Sequence, residues 1–394
     1  MKILYVSAMC PHDVVDRIYR TTGSNPGFAM QKFNRLVASG LAACGAEVTT
    51  ASAVPVSPSY PKRLWRLKPE RADGIAYRFL PFVNVSVLRQ LCLAAGAFFA
   101  MLKFGMTKRA EKRVVFDVLN VSVNLGALLA TRLCGVRTCG IVTDMPGLIV
   151  GEGEACRSTK AKIVARVNKS YLSKFDSFVF LTEAMNPVIN RRNVPYIVME
   201  GLVAAGSEPW RRSPSTPRSV IYAGGLEERY GLRMLVDAFR RLDLADTRLD
   251  LYGSGSMTDE LRAIAAADSR IAYHGVRPNS EIVEAERAAT LLVNPRPTTE
   301  EFTLYSFPSK NMEYMLSGTP VLTTALPGMP AEYHHHVYLF DEETTAGYAR
   351  RLREVLSLPG EELAGRGHRA REFVLGKKNN VAQSRRILSL LQKI

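Results

Sequence analysis

Apolar positions along this chain switch repeatedly between a short continuous period and a helical one. Runs at Lys2 to Ser7, Glu47 to Ala51, Phe116 to Leu119, Thr138 to Thr143, Ser177 to Leu181 and Tyr196 to Met199 read as buried strands. Between the first two, Phe28 to Ala43 carries Phe28, Phe33, Leu36, Val37 and Leu41 at helical spacing, and Gly45 ends it. Val87 to Phe104 reads as a strongly apolar helix, either core or membrane-facing. The stretch GSEPWRRSPSTPR over 206–218 has no buried period and reads as a linker. A second series follows, with strands at Ser219 to Ala223, Leu249 to Tyr252, Ile271 to His274, Leu291 to Val293 and Val321 to Thr323. Its first helix, Gly231 to Leu242, carries Leu232, Leu235, Val236 and Phe239 at i, i+3, i+4 and i+7. Leu363 to Lys393 is largely helical.

Repeated strand–helix order predicts an α/β fold with mostly parallel sheets covered on both faces. Two doubly wound, Rossmann-like domains are expected over 1–205 and 219–375, facing a central cleft, with 376–394 a C-terminal helix that could return to the first. A length of 394 residues suits two cores. No run of 18 uncharged apolar residues occurs, so no transmembrane helix is expected; the nearest, Leu91 to Leu102, is bracketed by Arg89 and Lys103. Met1 to Ser7 is a strand rather than a secretory signal. Six cysteines (Cys10, Cys44, Cys92, Cys134, Cys139 and Cys156) form no CxxC pair, which suits reduced thiols in the cytoplasm.

Charge changes the picture. The net charge is +15, yet Met1 to Glu200 holds 27 Lys/Arg against 13 Asp/Glu, while Gly201 to Ile394 holds 25 against 24. Basic clusters stand at Lys62, Arg63, Arg66, Lys68 and Arg71, at Lys103, Lys108, Arg109, Lys112 and Arg113, and at Lys160, Lys162, Arg166, Lys169 and Lys174. A basic first half suits peripheral contact with an anionic membrane; a solvated basic face is the alternative. Nucleic acid is set aside, because aromatic residues do not interleave with these clusters and no binding module is recognisable.

Candidate chemistry concentrates in SFPSKNMEYMLSGTPVLT, Ser306 to Thr323. Pro308 and Ser309 open a helix with Ser309 expected at the N-cap, Lys310 sits in its first turn where amides and dipole attract anions, and Glu313 follows on the same face. A cation beside a carboxylate suits a nucleotide diphosphate carrying hydroxyls; an ordinary amphipathic helix is the alternative. In YAGGLEERYG, Gly224 and Gly225 permit close backbone approach, and Arg229 could clamp phosphate oxygens. NPR, Asn294 to Arg296, ends another strand of the same sheet. Asp144, in VTDMPG, ends a strand of the first domain and is a candidate acid or base, or a helix cap. His12 lies near the end of the first strand and is a candidate acceptor contact or a plain loop residue, while His334 to His336 read as surface. No Asp-x-Asp metal signature stands in a suitable place, so metal-free chemistry is expected.

In order, YAGGLEERYG, LYGSG, YHGVRP, LLVNPRP and SFPSKNMEYMLSGTPVLTT make Ser219 to Thr324 resemble the family 4 retaining glycosyltransferases of the GT-B fold. MKILYVSAMCP, GFAMQKFNRLVASGLAACGAEV and VTDMPG resemble the family's first domain more loosely. The resemblance implies a nucleotide-diphosphate sugar held by the second domain, with no further cofactor, and a saccharide or lipid-linked acceptor held by the first. Glu313 matches the family glutamate that holds the donor ribose. Gly224 and Gly225 match the Gly-Arg of the phosphate turn, so that arginine is missing; Tyr230 stands where a lysine is usual, with Arg229 beside it. Tyr305 occupies the place of the first glutamate of E-x7-E, leaving Ser309 and Lys310 for diphosphate contacts. Gly27 and Gln31 match the loop and helix start bordering the donor phosphates, and Gln31, His12 and Asp144 are the acceptor-side candidates. Catalytic roles fall to Asp144, Arg229 and Lys310. These departures resemble the FPSK-type subgroup associated with bacterial surface polysaccharide assembly at the inner membrane face. A nucleotide-sugar epimerase of the same fold is the alternative enzyme.

Overall fold

The computed structural model describes residues 1–23, 25–107, 111–145, 168, 170–206 and 218–394. The linker over 207–217, Cys156, the residues after Met145 in VTDMPG and the cations at 108, 109, 160, 162, 166 and 169 lie outside them. The chain forms two compact units, Met1–Leu202 with Asn380–Ile394, and Val203–Asn379.

The first unit holds β1 (Lys2–Ser7), α1 (His12–Thr22), α2 (Phe28–Ala43), β2 (Glu47–Ala53), β3 (Leu64–Trp65), β4 (Glu70–Ala72), β5 (Ile75–Tyr77), β6 (Phe79–Leu80), β7 (Phe82–Val83) and α3 (Ser86–Met106). It continues with β8 (Lys112–Asp117), α4 (Val121–Cys134), β9 (Arg137–Val142), β10 (Ser177–Phe180), α5 (Met185–Ile189) and β11 (Tyr196–Val198). The sheet runs β11-β10-β9-β8-β1-β2-β5-β4, parallel throughout except for β4 against β5. Ile3 stands between Val48 of β2 and Arg113 of β8. Continuous apolar runs in β1, β8 and β9 follow from helices covering both faces; Ile3, Tyr5, Val115 and Ile141 are all buried.

The second unit holds β12 (Arg218–Gly225), α6 (Leu232–Arg240), β13 (Thr247–Ser254), α7 (Thr258–Ala267), β14 (Ile271–Gly275), α8 (Asn279–Ala288), β15 (Leu291–Asn294) and α9 (Ser309–Ser317). Then come β16 (Val321–Thr324), β17 (Tyr338–Phe340), α10 (Thr345–Leu356) and α11 (Gly360–Lys377). Its parallel sheet is ordered β14-β13-β12-β15-β16-β17, so the strand order reverses between β12 and β15. In such sheets that reversal opens a crevice at the strand C-termini. Val203 pairs in parallel with Asn379, and Val203 N donates to Lys378 O at 3.0 Å, so the two ends of this unit lie side by side. The last helix, α12 (Asn380–Gln392), belongs to the first unit and packs on α2, where Ser384 Oγ donates to Val37 O at 3.2 Å. Gly40 makes this approach, since a Cβ there would collide with Asn380 O.

Several expectations are corrected. The strand expected over Phe116 to Leu119 is β8, ending at Asp117, because the Asp117 carboxylate accepts from Leu119 N at 3.1 Å and turns the chain. Ser309 is the first helical residue of α9 rather than its N-cap, a position that Pro308 takes with extended backbone. By length and composition alone α3 is long and apolar enough to cross a membrane, with Arg89 and Lys103 near its ends. The histidine run is not plain surface: His336 stacks on Phe373 at 4.2 Å, and burial holds its pKa below the ordinary 6.5.

Candidate functional site

The reversal point of the second sheet collects most of the expected chemistry. β12 and β15 pair only through Val220–Leu291 and Ile221–Leu292, and part beyond. In the gap the buried Tyr314 hydroxyl accepts from Ala223 N at 2.8 Å and donates to Ala223 O at 3.3 Å. A side chain of α9 thus takes the ladder position that β15 gives up, tying α9 to the residue before Gly224 and Gly225. Tyr222 Oη donates to Gly225 O at 2.8 Å and fixes the turn itself. Two further loops are pressed against it. Gly253 and Gly231 both have positive φ, and a Cβ on either would collide with a carbonyl oxygen, of Gly224 and Pro295 respectively. The contact at Gly231 brings Arg296 into the site.

Arg229 and Arg296 converge there on one pair of rings. Their guanidinium carbons lie 5.2 and 4.6 Å from the Tyr230 centroid, and 5.8 and 5.5 Å from that of Phe302. The two rings meet edge to face at 6.0 Å. Each cation–π contact contributes only about 0.5–1 kcal/mol at exposed sites, and two like charges on shared rings repel. Hydrogen bonds from Ser256, and behind them the nearby charge of Arg229, hold the Glu227 carboxyl pKa below the ordinary 4.5. Arg296 is the residue that sequence reasoning missed; its NPR loop was legible as a strand end, but nothing linear linked it to Arg229.

On α9, Lys310 Nζ lies 2.9 Å from Glu313 Oε2, with both side chains about two-thirds buried. Burial pulls the Lys310 ammonium down, but the carboxylates of Glu313 and buried Glu286 outweigh it and hold its pKa above the ordinary 10.5. Lys310 therefore stays charged beside the first-turn amides of Ser309 and Lys310 itself, which have no carbonyl partner within the helix, whereas Asn311 N donates to Pro308 O at 3.0 Å. Ser309 is exposed at the same end, and Tyr305 precedes it in a half-buried turn. Asn294 Nδ2 donates to Asn311 Oδ1 at 2.7 Å, while Asn311 Nδ2 and Thr323 Oγ1 are buried with no partner. Unsatisfied buried polar atoms cost about 1–3 kcal/mol each.

The first-unit candidates are dispersed. Gly27 is left-handed, with φ 77°, at the start of α2. Gln31 is buried; its Nε2 donates to Ala8 O at 2.7 Å and its Oε1 accepts from Cys10 N at 2.8 Å, so it shapes the loop after β1. His12 is exposed and pairs with Asp16, Nδ1 to Oδ2, at 3.1 Å. Asp144 follows β9, near enough to Asp117 for its charge to act there. Asp117 itself is buried, accepting from Asn34 and Asn120 at 3.2 and 2.8 Å, yet desolvation raises its pKa to about 6. Nothing in the sequence marked it, since the strand expected over Phe116 to Leu119 runs through it. A depression of about 520 Å³ lined by Tyr196, Arg386 and Leu390 touches none of the candidates. Among the described residues, no group of three His, Cys, Asp or Glu side chains is placed to hold a metal ion.

Residues 217–357 match the family model described as Glycosyl transferases group 1. That stretch contains every loop of the reversal point. Over 190 residues the chain is 28% identical to WcaL of Escherichia coli (strain K12), a protein named as a colanic acid biosynthesis glycosyltransferase. The aligned stretch is 46% of this chain and 47% of the relative, so the match spans about half the length of each. Among solved structures, sucrose-phosphate synthase from Thermosynechococcus elongatus superposes with TM-score 0.67 at 14% identity, covering 100% of this chain and 99% of that one. Anabaena HepE in complex with UDP superposes with TM-score 0.63 at 13% identity, covering 100% of both. The fold is that of the GT-B glycosyltransferases, α/β with two Rossmann-like units.

Proposed function

We propose that the protein is a family 4 retaining glycosyltransferase of the FPSK type, moving a sugar from a nucleotide-diphosphate sugar to a lipid-linked saccharide in cell-surface polysaccharide assembly. One observation carries this reading: the Gly224–Gly225 turn, the loops carrying Arg229 and Arg296, and α9 with Lys310 and Glu313 all belong to the end of one sheet where its strand order reverses, within the segment matching the family model. The WcaL likeness supports the polysaccharide setting. HepE is solved with UDP and with UDP-glucose, which makes UDP the first nucleotide to test.

In this proposal Glu313 holds the ribose hydroxyls, releasing Lys310 to the diphosphate. Arg229, Arg296, Lys310, Ser309 and the α9 amides stabilise the charge that grows on the departing diphosphate. The anomeric carbon–oxygen bond to phosphate breaks and the acceptor oxygen bonds to the same face. Asp144 is the proposed acceptor-side acid or base, with His12 and Gln31 lining or shaping that side, while Gly27 borders the donor phosphates. The cationic groups supply the charge that a divalent ion would otherwise bring, so transfer is proposed to be metal-independent. Domain roles follow the resemblance, acceptor for 1–205 and donor for 219–375.

A thermal-shift panel of UDP, GDP, ADP, dTDP and CMP tests the reading, with Lys310→Ala as control. A ligand that binds only the folded state raises its melting point by mass action. The expected outcome is a rise with one diphosphate, absent in the variant; a flat panel argues against the donor site.

A further inference from the structure

The helices α3 and α4 invert the usual pattern of a surface helix. On α3 the buried residues are Leu93, Ala97 and Met101, which face the core of the first unit. The exposed stripe is just as apolar: Leu88, Leu91, Ala95, Phe99 and Met106, with Leu91 62% and Phe99 65% exposed. On α4 the exposed residues are Leu125, Leu129, Arg132 and Leu133, with Leu129 60% and Leu133 68% exposed. Only 17% of the most apolar 18-residue window of α3 is buried. The two helices lie in close contact, because Gly126 has no Cβ to strike Ala94 O. Their stripes therefore belong to one apolar face, far beyond the scattered single residues of an ordinary surface.

Charge selects what covers this face. Neither helix carries an Asp or Glu, while Lys103 and Arg132 stand exposed among the apolar residues. Residues 1–202 hold 27 Lys/Arg against 13 Asp/Glu, and 380–394 add Arg385, Arg386 and Lys393 with no acid. The second unit, 203–379, holds 22 against 24. A second copy meeting this face with the same face would set cations against cations. An anionic bilayer supplies both an apolar layer and the opposite charge. Since Leu93, Ala97 and Met101 are held in the core, α3 lies along such a surface rather than across it.

We propose that the paired outer faces of α3 and α4 dock the protein on an anionic lipid surface, the leucines and Phe99 entering the acyl boundary and Lys103 and Arg132 meeting head groups. This holds or fails independently of the donor site, because its readout is lipid binding. The test is flotation of the full chain with phosphatidylcholine vesicles, with and without phosphatidylglycerol, comparing wild type with the double variant Leu91→Glu/Leu129→Glu. Both positions are exposed, so melting should not move; Lys103→Glu/Arg132→Glu is the second variant should the first fail to fold. The expected result is flotation with anionic vesicles only, lowered about tenfold or more in either variant and by high salt. Flotation equal in wild type and variants would overturn the proposal. A wild-type dimer that the variants dissolve, with no flotation, would overturn it in favour of a second copy.

Discussion

Removing the Lys310 ammonium is the sharpest test of the donor site. Its Nζ lies 2.9 Å from Glu313 Oε2 in the first turn of α9, and its side chain is 31% exposed. Two unit charges 4 Å apart interact by about 4 kcal/mol at an effective dielectric near 20. A phosphate group that gains charge within that distance should lose a comparable share of its stabilisation in Lys310→Ala. Loss of one preorganised donor at such a site lowers turnover by about 100- to 1,000-fold, or ~3–4 kcal/mol. Stability should move far less, because a partly exposed ion pair one turn apart contributes at most about 1 kcal/mol. The assay is initial rate against donor concentration, with melting and UDP-induced shift measured on the same preparation. Lys310→Arg, which keeps the charge, should retain more activity than the alanine. Full turnover in Lys310→Ala with unchanged melting would refute the assignment.

Three other outcomes are expected. Tyr314→Phe leaves Ala223 N and O without their partner, so it should destabilise by about 1–3 kcal/mol in urea unfolding and weaken nucleotide binding through the displaced Gly224–Gly225 turn; unchanged affinity would mean that the turn is set elsewhere. Arg296→Ala and Arg229→Ala should each raise the dissociation constant for the nucleotide about tenfold by calorimetry, and a double variant no worse than either would deny a shared anion. Folding raises the Asp117 pKa from 3.8 to about 6, so the folded state holds that proton more tightly than the unfolded chain. The resulting contribution is whole below pH ~3.8 and is lost as pH rises through ~6, about 3 kcal/mol in all. Asp117→Asn should remove that loss between about pH 4 and pH 7; a stability profile parallel to wild type would refute it.

What the chain discloses in one dimension is what repeats or stands close in it. The helix Phe28–Ala43 is legible to the residue because its apolar positions recur at helical spacing and Gly45 ends it. The pair Lys310 and Glu313 is legible because three residues make one helical turn. The partnership of Arg229 with Arg296 is not, since it depends on Gly231 resting against Pro295, a contact between two loops. Tyr314 hides for a different reason: it sits among the apolar residues of α9, and only the parting of β12 from β15 gives its hydroxyl work. The segment 64–83 resists reading because strands of two or three residues carry no period. Hydropathy alone leaves α3 undecided between core and surface; exposure, together with α4, decides it.

The side-by-side ends of the second unit carry a consequence for engineering. Val203 and Asn379 are paired across a parallel bridge, so the 177-residue piece between them leaves and re-enters the rest of the chain at one place. It has the topology of an insertion, and such a piece is transplantable in a way that a terminal half is not. Exchanging 203–379 for the matching span of another GT-B protein would need both splice points to move together, and would keep α12 on α2 in the host. A nucleotide preference carried by that piece would travel with it as a cassette, leaving α3 and α4 of the recipient untouched.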